Sequence, residues 1–161
     1  MQTNSEKRQD LRQALENIRA DIGDRIVRIS VVPENTIELE VKRENIAEAG
    51  LYLRDDPKLQ FDFISCVSGV DKLQKMEVVY HVHSLPNSLS LRLKATLDID
   101  NPIVDSLVPV WPGADWHERE AYDLFGITFN GHPDLRRIML EDDFDGHPMR
   151  KSYPQPEGRL R

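Results

Sequence analysis

The chain has 161 residues, of which 39% are hydrophobic and 30% are charged, and its formal net charge is −7 at pH 7. This composition is ordinary for one globular domain, and the acidic balance argues against a generic nucleic-acid binder, which would carry a basic excess. The single cysteine, Cys66, excludes an intrachain disulfide and any four-cysteine zinc or iron–sulfur site.

The beginning of the chain, MQTNSEKRQDLRQ, lacks the apolar stretch of a signal peptide. No segment approaches the ~18 apolar residues of a membrane-spanning helix. Together with the low cysteine content, this predicts a cytoplasmic protein that meets a membrane only through a partner.

The first elements are a helix and two strands. Leu11, Leu15, Ile18 and Ile22 form one apolar stripe of a helix, and Gly23 marks its end. The segments RIVRISVV and TIELEV, separated by residues 33–35, indicate a β-hairpin. A second, short helix is predicted over residues 44–53.

Three more strands complete the first part of the chain. LQFDFISCV and MEVVYHVHS are two of them, with a turn near residues 69–71. The third is SLSLRLKATLD, whose apolar side chains alternate with polar ones, so that one face is buried. Its apolar residues are Leu89, Leu91, Leu93, Ala95 and Leu97. The order helix, two strands, helix, three strands predicts a two-layer α+β domain over residues 1–100 that folds alone, with its helices on one face of the sheet.

From residue 101 onward, frequent prolines predict a short helix followed by an extended, Pro-rich tail. In DWHEREAYDLFG, Asp115 is the expected N-cap, and Glu118 is expected to complete a capping box. Gly126 is expected to end the helix in a left-handed conformation. Arg119 and Asp123 are spaced for an i, i+4 ion pair. The expected apolar anchors of this helix are Trp116, Leu124 and Phe125.

Several side chains suggest chemistry, but simpler roles are favoured for each. His117, His132 and His147 lack the spacing of known zinc motifs, and hydrogen bonds from histidine to the main chain are preferred over metal binding. His81 and His83 share a strand face that is exposed or faces a partner. For Cys66, in the middle of a strand, the sequence favours a buried thiol over a nucleophile.

The carboxylates Glu118, Glu120 and Asp123 crowd one helix and suggest acid–base chemistry, but a structural network with nearby arginines is favoured. The sequence contains no phosphate-binding loop, G-x-S-x-G or nucleotide fingerprint. The residues by themselves therefore predict a non-catalytic module.

From Trp116 to Pro154 the sequence closely resembles the signature of the 30 kDa subunit of the proton-pumping NADH:quinone oxidoreductase, respiratory complex I. The family patterns E-R-E-x-Y-D-x-F-G-I-x-F-x-G-H-P and G-H-P-L-R-K-D-Y-P are both present. The departures are mild: Met149 replaces Leu, Ser152 replaces Asp, and Glu141 and Phe144 stand where the family often has Pro and Trp.

This resemblance implies a non-catalytic subunit of the peripheral arm that carries no cofactor, while iron–sulfur clusters, FMN and quinone belong to partner subunits. It implies docking on the 49 kDa-type subunit, no contact with nucleic acid, and a peripheral position on the cytoplasmic face of the membrane. Homologous subunits of membrane-bound hydrogenases and of ferredoxin- or F420-dependent enzymes are alternatives. A stand-alone hydrolase that uses the three helix carboxylates is a distant one. In such complexes the chemistry of the electron donor resides in other subunits.

The resemblance also implies that residues 101–161 form a signature segment with a docking tail. Because residues 128–161 are rich in proline and arginine and bury little surface against themselves, we expect this tail to be mobile in the isolated chain and ordered on its partner. In that segment the two Gly-His-Pro turns serve as scaffold and docking elements. The residues expected to carry the signature and the docking are Trp116, Glu118, Arg119, Glu120, Tyr122, Asp123, Phe125, Gly126, Gly131, His132, Pro133, Arg136, Arg137, Gly146, His147, Pro148, Arg150, Lys151 and Tyr153.

Overall fold

A five-stranded sheet dominates the computed structural model, which describes residues 4–32 and 36–154. Its helices are α1 (Asn4–Ile22), α2 (Ile46–Asp55) and α3 (Ala114–Phe125). The strands are β1 (Ile26–Val32), β2 (Thr36–Val41), β3 (Phe63–Asp71), β4 (Lys75–Ser84), β5 (Leu89–Asp98), β6 (Ile103–Asp105) and β7 (Thr128–Asn130). The α+β class predicted from the sequence is confirmed.

The main sheet has the strand order β1-β2-β5-β4-β3, and β6 and β7 form a separate parallel pair. Within the main sheet β2 and β5 are parallel, and the other neighbours are antiparallel. The antiparallel pairing of β1 with β2 confirms the two strands of the predicted hairpin. Its connecting residues, 33–35, lie outside the described residues.

Strand β5 lies in the middle of the sheet and alternates as predicted. Leu91 and Leu93 are buried, whereas Arg92 and Lys94 on the opposite face are partly exposed. The buried face packs against α1 through Ile18 and against the other helices within one core. The helices therefore cover one face of the sheet, and no helix of the described residues covers the other, which we call the open face.

The two N-terminal helices agree with their predictions. Leu11, Ile18 and Ile22 of α1 are buried, and the helix ends at Ile22, immediately before Gly23. Helix α2 begins at Ile46, later than predicted, because Arg43–Asn45 forms a turn of 3₁₀ helix ahead of it.

Strand β3 begins and ends later than the sequence suggested. Leu59 and Phe61 are fully buried but precede the strand, since the Phe61 carbonyl accepts the Trp111 indole N–H at 2.8 Å instead of joining the ladder. Gly69 lies inside the strand rather than at its turn. The turn itself is held by Asp71, whose carboxylate accepts the Leu73 N–H at 2.7 Å.

The core does not stop at residue 100. Val104, Leu107, Trp111, Ile127 and Phe129 are buried in the same cluster as the sheet and α1. The expected boundary between residues 1–100 and 101–161 therefore does not coincide with a break in the packing of the described residues. Because residues beyond 100 complete the core, this packing argues against independent folding of residues 1–100.

We expect Gly69→Ala to lower the free energy of unfolding by about 1–3 kcal/mol, because added methyl groups strain a packed interface. A Cβ at this position would lie 2.8 Å from the Phe125 ring and 3.1 Å from Ile127. Urea denaturation followed by circular dichroism measures the change. Gly23→Ala is the matched control, since nothing lies within 4 Å of a Cβ there. Equal stability of the two variants would mean that α3 does not press on β3 at this point.

Candidate functional site

Helix α3 carries the first half of the signature, and its two ends differ in how well they were predicted. Gly126 ends the helix with φ 71° and ψ 28°, in the predicted left-handed conformation. The N-cap is Gly113 rather than Asp115, and no side chain caps this end. The predicted capping box is therefore wrong.

Glu118 points away from its own helix end and into the core. Its side chain is completely buried and accepts hydrogen bonds from the Ser106 hydroxyl (2.6 Å), the Leu107 N–H (2.7 Å) and the Tyr80 hydroxyl (3.0 Å). Burial raises the pKa of Glu118 above its ordinary value, although these three bonds act in the opposite direction. This carboxylate joins α3 to β4 and to the loop after β6, and it is not placed to meet a substrate.

Asp123 is the second buried carboxylate of α3. Its carboxylate accepts a hydrogen bond from the Arg137 guanidinium at 2.7 Å. It also accepts hydrogen bonds from the main-chain N–H groups of Ile138, Met139 and Leu140 at 3.1, 2.8 and 2.9 Å. Burial tends to raise the pKa of Asp123, but the main-chain donors and Arg137 outweigh it, so the pKa is lowered. The predicted ion pair between Arg119 and Asp123 is wrong, because Asp123 binds the following loop.

Arg119 also binds that loop, but through carbonyl oxygens. Its Nε donates to the Arg136 carbonyl at 3.2 Å and its Nη2 to the Arg137 carbonyl at 3.4 Å. The guanidinium carbon lies 5.2 Å from the centroid of the Trp116 ring, within the range of a cation–π contact. Trp116 itself is 67% exposed, so it is not the apolar anchor that the sequence suggested.

The tail satisfies the carbonyl groups at the C-terminal end of α3, which have no partners within the helix. In the tail, His147 Nδ1 donates to the Asp123 carbonyl, Met149 N–H to the Leu124 carbonyl and Arg150 Nε to the Phe125 carbonyl, at 2.7–3.1 Å. The Tyr122 carbonyl accepts the N–H of the C-cap residue Gly126. A Cβ on Gly126 would lie 2.7 Å from His147 Nε2, so glycine also makes room for this ring. Arg150 additionally places a positive charge at the negative end of the helix dipole.

The two Gly-His-Pro histidines bind the main chain, as predicted. The Asp134 N–H donates to His132 Nδ1 at 3.0 Å, which leaves Nε2–H to donate to the Asp115 carbonyl at 3.2 Å. His147 donates to the Asp123 carbonyl at 2.9 Å. Among the described residues, no three His, Cys, Asp or Glu side chains come together as metal ligands would.

The segment after β7 is bound to the domain as far as the structure describes it. The Lys151 N–H donates to Asp71 of β3 at 2.8 Å, and within the segment the rings of Phe144 and Tyr153 stack with their centroids 6.2 Å apart. Arg137 also donates to the carbonyls of Phe144 and Gly146. The expectation of a mobile tail is therefore not supported up to Pro154, and residues 155–161 lie outside the described residues.

The predicted docking residues divide into two groups. Trp116 and Arg136 are strongly exposed, the latter with 71% of its side chain accessible, and Gly131, Pro133 and Lys151 are exposed as well. The others are buried or partly buried: Glu118, Arg119, Glu120, Tyr122, Asp123, Phe125, Gly126, His132, Arg137, Gly146, His147, Pro148, Arg150 and Tyr153. Most of the signature thus faces the protein itself.

The sequence did not identify three partners of the signature. Tyr80 lies 38 residues before Glu118, Ser106 lies 12 residues before it, and Asp71 lies 80 residues before Lys151. A buried tyrosine in a strand predicts that its hydroxyl has a partner, but it does not say which one.

None of the helices in the described part of the chain combines the length and apolar composition needed to cross a membrane. One surface cavity of about 330 Å³ is lined by residues that include Arg43, Asp105 and Asn130. Another, of about 410 Å³, is lined by Phe63, His83 and Leu85 among others. Neither is lined by the α3 carboxylates.

Residues 39–159 match the family model described as the respiratory-chain NADH dehydrogenase, 30 kDa subunit. The C subunit of the NADH-quinone oxidoreductase of Roseiflexus sp. (strain RS-1) is 44% identical over 143 residues, which cover 87% of this chain and 82% of the relative. The corresponding protein of Salinispora arenicola (strain CNS-205) is 42% identical, and the match spans 90% of this chain but only 60% of that protein.

Two solved structures are similar in fold. A trypsin-resistant fragment of Nqo5 (1-134) has a TM-score of 0.65 and 28% identity, covering 78% of this chain and 99% of the fragment. A chain of the archaeal membrane-bound sulfane sulfur reductase has a TM-score of 0.76, covering 89% of this chain and 85% of its own length. At 21% identity the latter similarity shows the fold alone.

Proposed function

Because the chain belongs to the family of the respiratory-chain NADH dehydrogenase 30 kDa subunit, we propose that it is a structural subunit of the peripheral arm of an NADH:quinone oxidoreductase. In this proposal the chain binds no cofactor, docks on the 49 kDa-type subunit and lies on the cytoplasmic side of the membrane. It supports electron transfer to quinone, coupled to proton translocation, by holding its partners in place.

The observation that carries this proposal is the use of the signature's charged side chains within the domain. Glu118, Asp123 and Arg137 all bind partners in the same chain. A catalytic carboxylate needs access to its substrate, whereas the Glu118 and Asp123 side chains are completely enclosed. The signature therefore fits a rigid scaffold better than the stand-alone hydrolase.

For docking we propose a surface that we call the signature patch, made of Trp116, Arg136 and Met139. The Trp116 and Met139 side chains are 67% and 62% exposed, and Arg119 links Trp116 to the loop that carries the other two. Tryptophan, arginine and methionine are enriched at protein interfaces, where tryptophan and arginine often contribute much of the binding energy.

The names of the relatives favour NADH as the electron donor. A homologous subunit of a membrane-bound hydrogenase or of a ferredoxin- or F420-dependent complex would use the same scaffold with another donor. The donor specificity of the purified complex separates these alternatives.

We expect Trp116→Ala to weaken binding of the 49 kDa-type subunit about 30-fold, which corresponds to the roughly 2 kcal/mol of an interface hot spot. The stability of the chain should change little, because most of the ring is exposed. The dissociation constant measured with the co-expressed partner tests this, together with thermal unfolding of the isolated chain.

Leu73→Ala is the matched control, since Leu73 is also 67% exposed but lies at the β3–β4 turn. If the Trp116 variant binds the partner with unchanged affinity, the docking surface lies elsewhere on the chain. Failure of the wild-type chain to bind any subunit of the complex would overturn the proposed function itself.

A further inference from the structure

The open face of the sheet carries basic side chains that the signature does not involve. The strand register places Cys66, His81 and Arg92 side by side on β3, β4 and β5. Two residues further along β4, His83 lies between two hydroxyl groups, with Nε2 2.9 Å from Ser65 Oγ and Nδ1 3.0 Å from Ser90 Oγ. We call His81, His83 and Arg92 the basic cluster.

Arg92 has no anionic partner among residues 4–32 and 36–154. Its Nε is buried and makes no hydrogen bond, which is costly for a guanidinium donor. Its register neighbour on β2, Glu38, instead lies 3.5 Å from Lys94.

On the same face, the charged side chains around Glu77 differ from the basic cluster because they form ion pairs. There Glu77 lies 3.2 Å from Lys75 and 3.7 Å from Lys94, so acidic and basic groups balance one another. In the basic cluster, burial together with Arg92 and His83 lowers the pKa of His81. The guanidinium of Arg92 thus forms no ion pair with a carboxylate of the described residues, although the chain as a whole carries a net charge of −7.

Apolar side chains border the basic cluster. Phe63 is 48% exposed and Leu85 is 64% exposed, and both line the open cavity of about 410 Å³ beside His83. The Phe63 ring packs against His83 with the ring centroids 6.0 Å apart. Exposed apolar side chains next to polar and basic groups are typical of a protein-binding surface rather than of a simple anion site.

We propose that the basic cluster docks an acidic segment of a neighbouring protein subunit, one carboxylate binding Arg92 and His81 while an adjacent apolar side chain enters the cavity at Phe63. This inference rests on the proposed function as a subunit of a larger complex. The surface lies on the opposite side of the sheet from α3, so it is separate from the signature patch. Nucleic acid is disfavoured as the occupant, because the chain is acidic overall.

The test uses the complete complex, purified through a tag on this chain, with Arg92→Lys as the variant. Lysine keeps the positive charge and supplies an amine, which a carbodiimide couples to a carboxylate in direct contact. We expect a cross-link from position 92 to an aspartate or glutamate of another subunit, identified by mass spectrometry. Lys94 is the internal control, since it should couple to Glu38 or Glu77 of its own chain.

A second variant measures how much the contact matters. Arg92→Glu should lower recovery of the neighbouring subunit at least tenfold, while Arg28→Glu, the same charge change on β1 outside the cluster, should not. Thermal unfolding of both isolated variants checks that the fold is kept.

Two results overturn the inference while leaving the proposed function intact. One is a complex that assembles normally but in which position 92 cross-links only within its own chain or not at all, although Lys94 reacts. The other is a cross-link to a second copy of this chain. A wild-type preparation that contains no other subunit would overturn the proposed function and this inference together.

Discussion

Replacing Arg137 by alanine is expected to lower the free energy of unfolding by about 3–5 kcal/mol, the cost of breaking a buried charge pair from one side. The Asp123 side chain is completely buried, and the Arg137 guanidinium lies 2.7 Å from it with 18% of its side chain accessible. The variant leaves a buried carboxylate without its counter-ion. It also removes the donors to the carbonyls of Phe144 and Gly146.

The neighbouring residue supplies the matched control. Arg136 pairs with Asp134 at 2.9 Å, but 71% and 53% of the two side chains are exposed. Exposed ion pairs contribute about 0–1 kcal/mol to the free energy of unfolding, so the stability of Arg136→Ala should be close to that of the wild-type chain.

The wild-type chain, Arg137→Ala and Arg136→Ala are compared by urea denaturation and, in a separate experiment, by limited proteolysis of the folded proteins. The Arg137 variant should be cleaved within residues 137–154 under conditions in which the Arg136 variant is resistant. If both variants are equally stable, the Asp123–Arg137 pair does not hold the tail to α3.

Replacing Glu118 by alanine is the other change with a large expected effect, about 3 kcal/mol or more. It removes the acceptor of three buried donors, the Tyr80 and Ser106 hydroxyls and the Leu107 N–H, and leaves a cavity in the core. Each buried donor without a partner costs about 1–3 kcal/mol. Chemical denaturation at pH 7 measures the loss.

Glu118→Gln keeps the volume and one of the two acceptor oxygens, Oε1, which accepts from Tyr80 and Leu107, and the Ser106 hydroxyl can turn to accept from the amide. The variant therefore separates charge from packing. Because burial raises the pKa of Glu118 in the folded chain, the folded state holds its proton more tightly than the unfolded state. Its contribution to stability is fully present below the unfolded pKa and is lost as the pH rises through the folded value. Glutamine does not titrate, so the stability of the Gln variant relative to the wild-type protein should increase as the pH is raised from about 4 to 7.

Asp123, in the same helix, has a pKa shift of the opposite sign, so its effect on stability depends on pH in the opposite way. Its folded pKa is lowered, so its contribution to stability is present above the unfolded pKa and is lost as the pH falls through the folded pKa.

The test of the Glu118 prediction is the difference in unfolding free energy between Glu118→Gln and the wild-type protein. If that difference stays constant from about pH 4 to 7, Glu118 is ionised equally in the folded and unfolded states.

Local patterns in the sequence determined most of the elements. The alternation of Leu89 to Leu97 indicated a half-buried strand, because side chains of a strand point to opposite faces in turn. The stripe from Leu11 to Ile22 and the glycine after α3 were equally informative, since spacing along a helix and a left-handed end depend on neighbouring residues alone. The signature motifs identified the family without any structure.

Only the tertiary structure decided where the charged residues of the signature point. Spacing alone paired Arg119 with Asp123 and placed Glu118 in a capping box, since those partners lie within one helical turn. In the folded chain Asp123 instead collects three consecutive N–H groups of a loop, and Glu118 meets Tyr80 from a strand 38 residues away. A buried carboxylate binds whichever donors the whole fold brings to it, and their positions exist only after β4, α3 and the tail have packed together.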